Sequence, residues 1–414
     1  MSEKLTIMTL LAATALFTGC DSSSTEPGDS APIRVSSPAN NSTISDPVTV
    51  TASAGQGYAY DRVDFYIDGD SVWSDLSSPY QYYWNVYIYS GVSQHAIFAV
   101  GHTPDTSYMS ATINVNVSFV SGFAFVSAYV PNSLAAYGVS VYQNALFAAV
   151  GGPGLEVIDI TSKSSPTYIS RYDSPGLAVK SAVSYPYVFI ADYSEGVTRA
   201  DFSDPDSLIQ RGIYTSQATA NDVAVSANYL YVAENDGVSV VGFSDPNNMN
   251  FIFKVDMGGQ DQPQFVVARG DTAFVAALDK FYIIDCTNPA APQIVSAYNT
   301  SGRALCVAVD GDLAFVADGP EGVFTLSIAD PTSPVEIARY NTGEYMTSVD
   351  ASNFTLFTGG SSSGGVYALD YSQPDTLILA DQFDTGNGIW QLCSAPPFLY
   401  VATSGNINIL RYFR

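Results

Sequence analysis

From Phe147 to Tyr400 one aromatic-led strand is restated seven times: Phe147-Ala-Ala, Phe189-Ile-Ala, Tyr231-Val-Ala, Phe274-Val-Ala, Phe315-Val-Ala, Phe357-Thr-Gly and Tyr400-Val-Ala. The six intervals are 42, 42, 43, 41, 42 and 43 residues. A period near forty, with several short strands per unit and no helical hydrophobic pattern, is the sign of a β-propeller in which each repeat builds one blade. Second strands such as Val188-Phe-Ile-Ala are apolar at every position, as required when both faces of a sheet are covered by neighbouring sheets.

The repeat from Ala220 to Met257 divides into four strands. An inner strand at Val223 turns through Ala227-Asn228 into Tyr229-Leu-Tyr-Val-Ala. Gly237 opens a third strand, and the turn Ser244-Asp-Pro246 leads to an outer strand at Phe251. The last repeat stops at its third strand, Ile407 to Arg414, while an orphan strand, Phe123-Ala-Phe-Val-Ser-Ala-Tyr-Val130, precedes the first repeat. Supplying that strand as the missing outer one closes seven four-stranded blades over residues 121–414 and hides both sheet edges.

Lys4 precedes an apolar run from Leu5 to Phe17, which ends in Phe17-Thr-Gly-Cys20. The run is too short to span a bilayer. It resembles a bacterial lipoprotein signal peptide, residues 1–19, although Phe17 stands where Leu is usual. The resemblance implies that Cys20 carries the lipid and that acyl chains give a lasting membrane anchor. Residues 20–31, which include the polar Asp21-Ser-Ser-Ser-Thr-Glu-Pro-Gly stretch, read as a flexible tether. The expected location is therefore the cell envelope, outside the cytoplasm.

Residues 32–118 alternate apolar and polar positions, for example Val63-Asp-Phe-Tyr-Ile and Ala96-Ile-Phe-Ala-Val. With Ser37-Pro-Ala-Asn-Asn and Pro79-Tyr-Gln-Tyr-Tyr-Trp, this stretch resembles the immunoglobulin-like modules of bacterial surface proteins. It holds no cysteine, so packing must join the sheets of such a sandwich. Alternation places Tyr80, Tyr82 and Trp84 on one strand face and Tyr83 on the other, with Tyr87 and Tyr89 following.

Lys plus Arg number 15 against 40 Asp plus Glu, a formal charge of −25. Such a chain repels phosphate backbones and offers no basic run, which speaks against nucleic acid as a partner. Cys286, Cys306 and Cys393 sit on expected strands without metal or disulfide spacing and read as buried thiols. Both histidines, His95 and His102, fall in the sandwich, so histidine triads and zinc hydrolysis are excluded from the repeats.

Gly154-Leu-Glu-Val-Ile-Asp159, Phe281-Tyr-Ile-Ile-Asp285, Tyr231-Val-Ala and Ser244-Asp-Pro246 resemble the signature of LVIVD-repeat proteins. The resemblance covers about residues 121–414. It implies a propeller on a bacterial or archaeal cell surface, and it carries no established reaction. The signature Asp stands at Asp159, Asp201, Asp285 and Asp370 but is Gly242, Ser327 and Leu410 elsewhere, which marks it as structural.

A binding site is expected where the outer-to-inner and second-to-third connections meet at the channel mouth. The first set includes Tyr137, Lys180, Asn221, Asp222, Gln264, Arg303, Tyr345 and Trp390; the second begins at Asp192, Glu234 and Asp318. In the sharpest form Trp390 or Tyr345 stacks a ring while Arg303 and the three carboxylates orient it. The same carboxylates, one per rim position, are also a candidate calcium set, but calcium needs six to eight oxygens and no dense Asp/Asn/Gly loop supplies them. The sequence is thus expected to give a monomeric, lipid-anchored binding or scaffold protein for protein or polysaccharide, without cofactor. The alternatives are a glycosidase or lyase using paired acids such as Glu234, and a structural envelope component.

Overall fold

The structure, a computed structural model, describes residues 31–45, 48–84, 86, 92–118, 122–133, 135–258 and 260–413. The signal peptide, Cys20, nearly all of the tether, Tyr87 and Tyr89 lie outside these residues. The chain divides into two compact units, Met1–Ser118 and Phe119–Arg414.

In the first unit a three-stranded sheet, Ile33–Ser37, Val48–Ala54 and Tyr80–Trp84, faces a larger sheet. The latter runs Thr43–Ile44, Ile113–Ser118, Val92–His102, Arg62–Ile67 and Asp70–Asp75, with Ser107–Met109 paired to Val92–His102. The alternation predicted this: Val63, Phe65 and Ile67 point inward with Val50, Ile97, Val115 and Trp84, all buried. Tyr80 and Trp84 fill the core, while Tyr83 on the opposite face is 66% exposed.

The second unit holds seven sheets among the described residues. Six are four-stranded, and one has three strands because Thr272–Asp285 runs through what are two strands elsewhere. Each sheet is an antiparallel meander. The inner strands are Gly138–Tyr142, Lys180–Ser184, Ala220–Ser226, Phe265–Arg269, Cys306–Asp310, Met346–Ser352 and Ile389–Ala395; each adjoins the next, and the last adjoins the first. The strand Gly122–Tyr129 pairs antiparallel with Ile407–Phe413, so the sheet begun by the C-terminal residues is completed from the N-terminal side of the unit. Core clusters lie between neighbouring sheets. In one, Tyr231, Val238 and Val240 of the third repeat pack on Val275, Tyr282 and Ile284 of the fourth.

Two local devices recur. The glycine opening the third strand admits an outer-strand carbonyl: a Cβ on Gly154 or Gly196 would lie 2.2 or 2.1 Å from the Tyr172 or Tyr214 oxygen. Every sheet also carries an irregularity of register in its outer strand, for example between Val157 and Ile158 opposite Ser170 and Tyr168. Such bulges blunt exposed edges against strand addition.

The signature Asp is structural. Asp159, Asp201, Asp285 and Asp370 each accept the backbone N–H two residues on, from Thr161, Ser203, Thr287 and Ser372. The position three residues later makes a second such bond whether or not that Asp is kept: Asp245 accepts from Asn247 and Asp330 from Thr332 beyond Gly242 and Ser327, and Asp204 accepts from Asp206 beyond Asp201. Hydrogen bonds from the Thr161 and Thr287 hydroxyls and N–H groups hold Asp159 and Asp285 below the usual carboxylate range.

Candidate functional site at the channel mouth

Register fixes which residues share the mouth. The start of each inner strand pairs with the end of its second strand, as in Gly138↔Ala149, Lys180↔Ala191 and Cys306↔Ala317. The connections before inner strands and after second strands therefore emerge at one end of the unit.

Inner strands leave one row of N–H groups unpaired toward the axis, and side chains of the preceding repeat cap several of them. Asp222 Oδ2 accepts from the Val266 N–H at 2.9 Å, Ser348 Oγ from Leu392 at 2.9 Å, Asp350 Oδ2 from Ser394 at 2.6 Å and Gln391 Oε1 from Val139 at 3.0 Å. Burial pushes Asp222 up to about 7 and Asp350 up to about 6, while these N–H donors act in the opposite sense.

Lys180 is the centre of the mouth. Its ammonium donates to the Tyr137 carbonyl at 3.0 Å and the Trp390 carbonyl at 3.4 Å, and lies 5.9 Å from the Phe265 ring centroid. A single side chain from the second repeat thus reaches elements leading into the first, fourth and seventh, which is possible only over the axis. Burial lowers its pKa, and the Asp222 carboxylate acts against that loss. Cys306 beside them is driven up to about 12 by burial and is a resting thiol. Among the described residues Cys286, Cys306 and Cys393 are all free, the first two buried.

The predicted site residues separate into three groups. Trp390, 46% exposed, joins Lys180, with its ring centroid 5.7 Å from that of Tyr137. Arg303 and Tyr345 flank Gly319, whose Cβ would lie 3.4 Å from Arg303 Cβ and 3.3 Å from Tyr345 Cζ. Asp192, Glu234 and Asp318 are not rim groups: all three are 0% exposed. The position after the second strand turns its side chain under the connection, between the third and outer strands. Glu234 there accepts from the Tyr214, Ser216 and Ser239 hydroxyls and pairs with Lys254 at 2.8 Å. Asp318 accepts from the Gly302 N–H and pairs with Arg339 at 3.0 Å. Glu234 and Asp318 each pair with a cation of their own repeat, Glu234 also accepting from Tyr214 and Ser216 of the repeat before, and among the described residues no three His, Cys, Asp or Glu side chains gather as a metal-ligand group. The calcium set drawn from their common spacing is therefore not assembled.

Tyr193, which the sequence did not single out, follows Asp192 and is 43% exposed with φ 53°. Its counterparts in the backbone bridges between repeats are Gly151 (φ 74°) and Gly319 (φ 58°). A bulky residue in this conformation is strained. The only signal for it in the sequence was an aromatic at a position filled by glycine two times elsewhere. In the sandwich, strand pairing places each histidine between a serine and an aspartate. His102 contacts Asp64 at 2.9 Å and Ser107 at 2.8 Å, and His95 contacts Asp68 at 2.6 Å and Ser93 at 2.7 Å. Asp64 also pairs with Arg62 at 2.9 Å and accepts from Ser74, so it links strands rather than serving one histidine.

Comparison with known families matches residues 33–115 to a bacterial Ig domain and residues 135–174, 175–216, 218–257, 263–300 and 301–342 to LVIVD repeats. The chain is an LVIVD-repeat protein with a bacterial Ig domain. Its last two repeats lie beyond the matched segments yet build sheets of the same kind. No curated protein matches it. Among solved structures it is similar to the β-propeller domain of Cps50 (Swd1) from Myceliophteria thermophila, at 12% identity and TM-score 0.57, covering 70% of this chain and 99% of that one. It is also similar to BamB from Moraxella catarrhalis, at 10% identity and TM-score 0.51, covering 70% and 98%. At these identities the likeness is one of fold: the second unit of the LVIVD-repeat chain is a β-propeller.

Proposed function

We propose that this LVIVD-repeat protein is a binding or scaffold protein of the cell envelope, anchored through a lipid on Cys20, whose seven-bladed propeller takes a protein or polysaccharide at its channel mouth. The seven sheets would be its blades. The observation that carries the reading is the division of labour among the polar residues. The buried acids of the second-to-third connections are bonded within the fold or buried away from solvent, whereas the mouth presents Trp390 and Tyr137 beside the Lys180 ammonium and Arg303 beside Gly319. Aromatic faces beside a few fixed polar groups suit retention of a ligand. Acid–base hydrolysis would instead need two free carboxylates about 5–9 Å apart.

The test is an array of envelope glycans and membrane extracts, read for both retention and product release, with Trp390→Ala and Lys180→Met alongside wild type. Retention without product, weakened at least tenfold by Trp390→Ala, supports the reading. Product release abolished by Asp222→Asn replaces it with an enzymatic one, and retention indifferent to both mouth variants removes the mouth as the site. Metabolic labelling with a fatty acid, lost in Cys20→Ser, tests the anchor.

A further inference from the structure

The same buried position is acidic in three repeats and has a built-in cation in only two. Three residues beyond the aromatic anchor stand Asp192, Glu234 and Asp318, all completely buried. The outer strand faces this position from one register site. In the third repeat that site is Lys254, opposite Ser239; in the fifth it is Arg339, opposite Phe324; in the second it is Ile213, opposite Thr198. Lys254 and Arg339 ion-pair with their acids at 2.8 and 3.0 Å. Ile213 has no charge to give.

The consequence is visible in the second repeat. Neither Asp192 oxygen makes a hydrogen bond of ordinary geometry, and the buried Thr198 Oγ1 is likewise without one. The Thr198 and Ser174 hydroxyls lie near the carboxylate and lower its pKa, but burial dominates and raises it. Glu195 adds negative charge from the exposed side. A buried carboxylate is stable only when it is neutralised or fully bonded.

We propose that a monovalent alkali cation, sodium or potassium, binds Asp192 and occupies the place that Lys254 and Arg339 fill in the sister repeats. Its donors are the Asp192 carboxylate and the Thr198 and Ser174 hydroxyls, a set of hard oxygens suited to a hard cation. One buried carboxylate calls for one positive charge, as at Glu234 and Asp318. The site is separate from the channel mouth and does not depend on what the mouth binds.

The experiment compares thermal unfolding of the purified protein in tetramethylammonium, sodium, potassium and calcium chlorides at equal ionic strength, with sodium-23 line broadening as a second readout. At a salt concentration about ten times the dissociation constant, sodium or potassium should raise the midpoint by about 2 °C over tetramethylammonium. Asp192→Asn should lose that rise and the line broadening. Ile213→Lys, which supplies its own ammonium, should melt like the sodium-loaded wild type in every salt. Equal wild-type midpoints in tetramethylammonium, sodium and potassium overturn the proposal, because Asp192 is then neutralised by a proton. A rise that survives Asp192→Asn, or one produced by calcium alone, overturns it as well.

Discussion

Replacing Arg199 with valine tests how one repeat is fastened to the next. In three repeats an outer-strand serine reaches into the following turn: Ser127 Oγ donates to the Lys163 carbonyl at 2.6 Å, Ser170 to Pro205 at 2.5 Å and Ser296 to Pro331 at 2.7 Å. Opposite these serines stand Ile409, Val157 and Ile283. The second repeat exchanges the two roles. Gly212 holds the serine position, and Arg199 opposite it reaches the turn instead. Its guanidinium, fully buried, donates to the carbonyls of Phe243 at 3.0 Å, Arg211 at 3.0 Å and Asp245 at 2.9 Å.

Valine leaves these three carbonyls, besides the more distant Asn248 oxygen at 3.5 Å, without their charged donor. At about 1 kcal/mol each, the lower end for a buried acceptor, the loss is about 3 kcal/mol. For a unit of roughly 300 residues the unfolding entropy makes this about 5 °C in the thermal midpoint. The sharper assay is the cycle with Gly212→Ser. A Cβ on Gly212 meets Arg199 Nη2 at 3.6 Å and the Asn247 oxygen at 3.7 Å, so serine fits. In the Arg199→Val background, Gly212→Ser recreates the pairing of Val157 with Ser170 and should recover about 1 kcal/mol, or about 2 °C, which it cannot do while arginine already holds the turn. Circular dichroism melts of the four proteins decide it. A loss below about 1 °C for Arg199→Val, or an equal effect of Gly212→Ser in both backgrounds, refutes the reasoning.

A chain ending at Tyr400 loses Ile407–Phe413 and with it the partner of Gly122–Tyr129, so its melt should lose cooperativity or fall by more than about 10 °C; an unchanged midpoint would show that the closing pair is dispensable. Asp222 binds a proton more tightly when folded, at about 7, than when unfolded, at about 3.9, so its contribution is full below about pH 4 and is lost as pH rises through 7. Asp222→Asn, whose carbonyl can still accept from Val266, should flatten the decline of the midpoint between about pH 4 and 8, and an identical slope in the two proteins would exclude Asp222 as its source.

Much of this architecture was legible because a repeat exposes its own rules. Seven copies of one strand located the sheets, the truncated last copy pointed to Phe123–Val130 as its completion, and loss of the signature Asp in three repeats marked it as a turn former. Spacing alone misplaced Asp192, Glu234 and Asp318. It located each after a second strand but could not tell which way the side chain turned, since Lys254 and Arg339 stand about twenty residues further on in another strand. Lys180 was one of eight mouth residues with nothing in its neighbourhood to distinguish it; Tyr137, Trp390 and Phe265 become its neighbours only when distant repeats converge.

Local pattern is written in the chain itself: strands from alternation, turns from Asp and Gly, and a repeating unit from the period. Which polar groups are free to meet a ligand depends on how the strands fold against one another. A carboxylate three residues beyond an anchor is locally the same in each repeat, and its role is set by the residue that the outer strand brings opposite: lysine, arginine or isoleucine. Burial and charge pairing are properties of that meeting, and the energy of a buried charge depends on its partner rather than on its place in the chain.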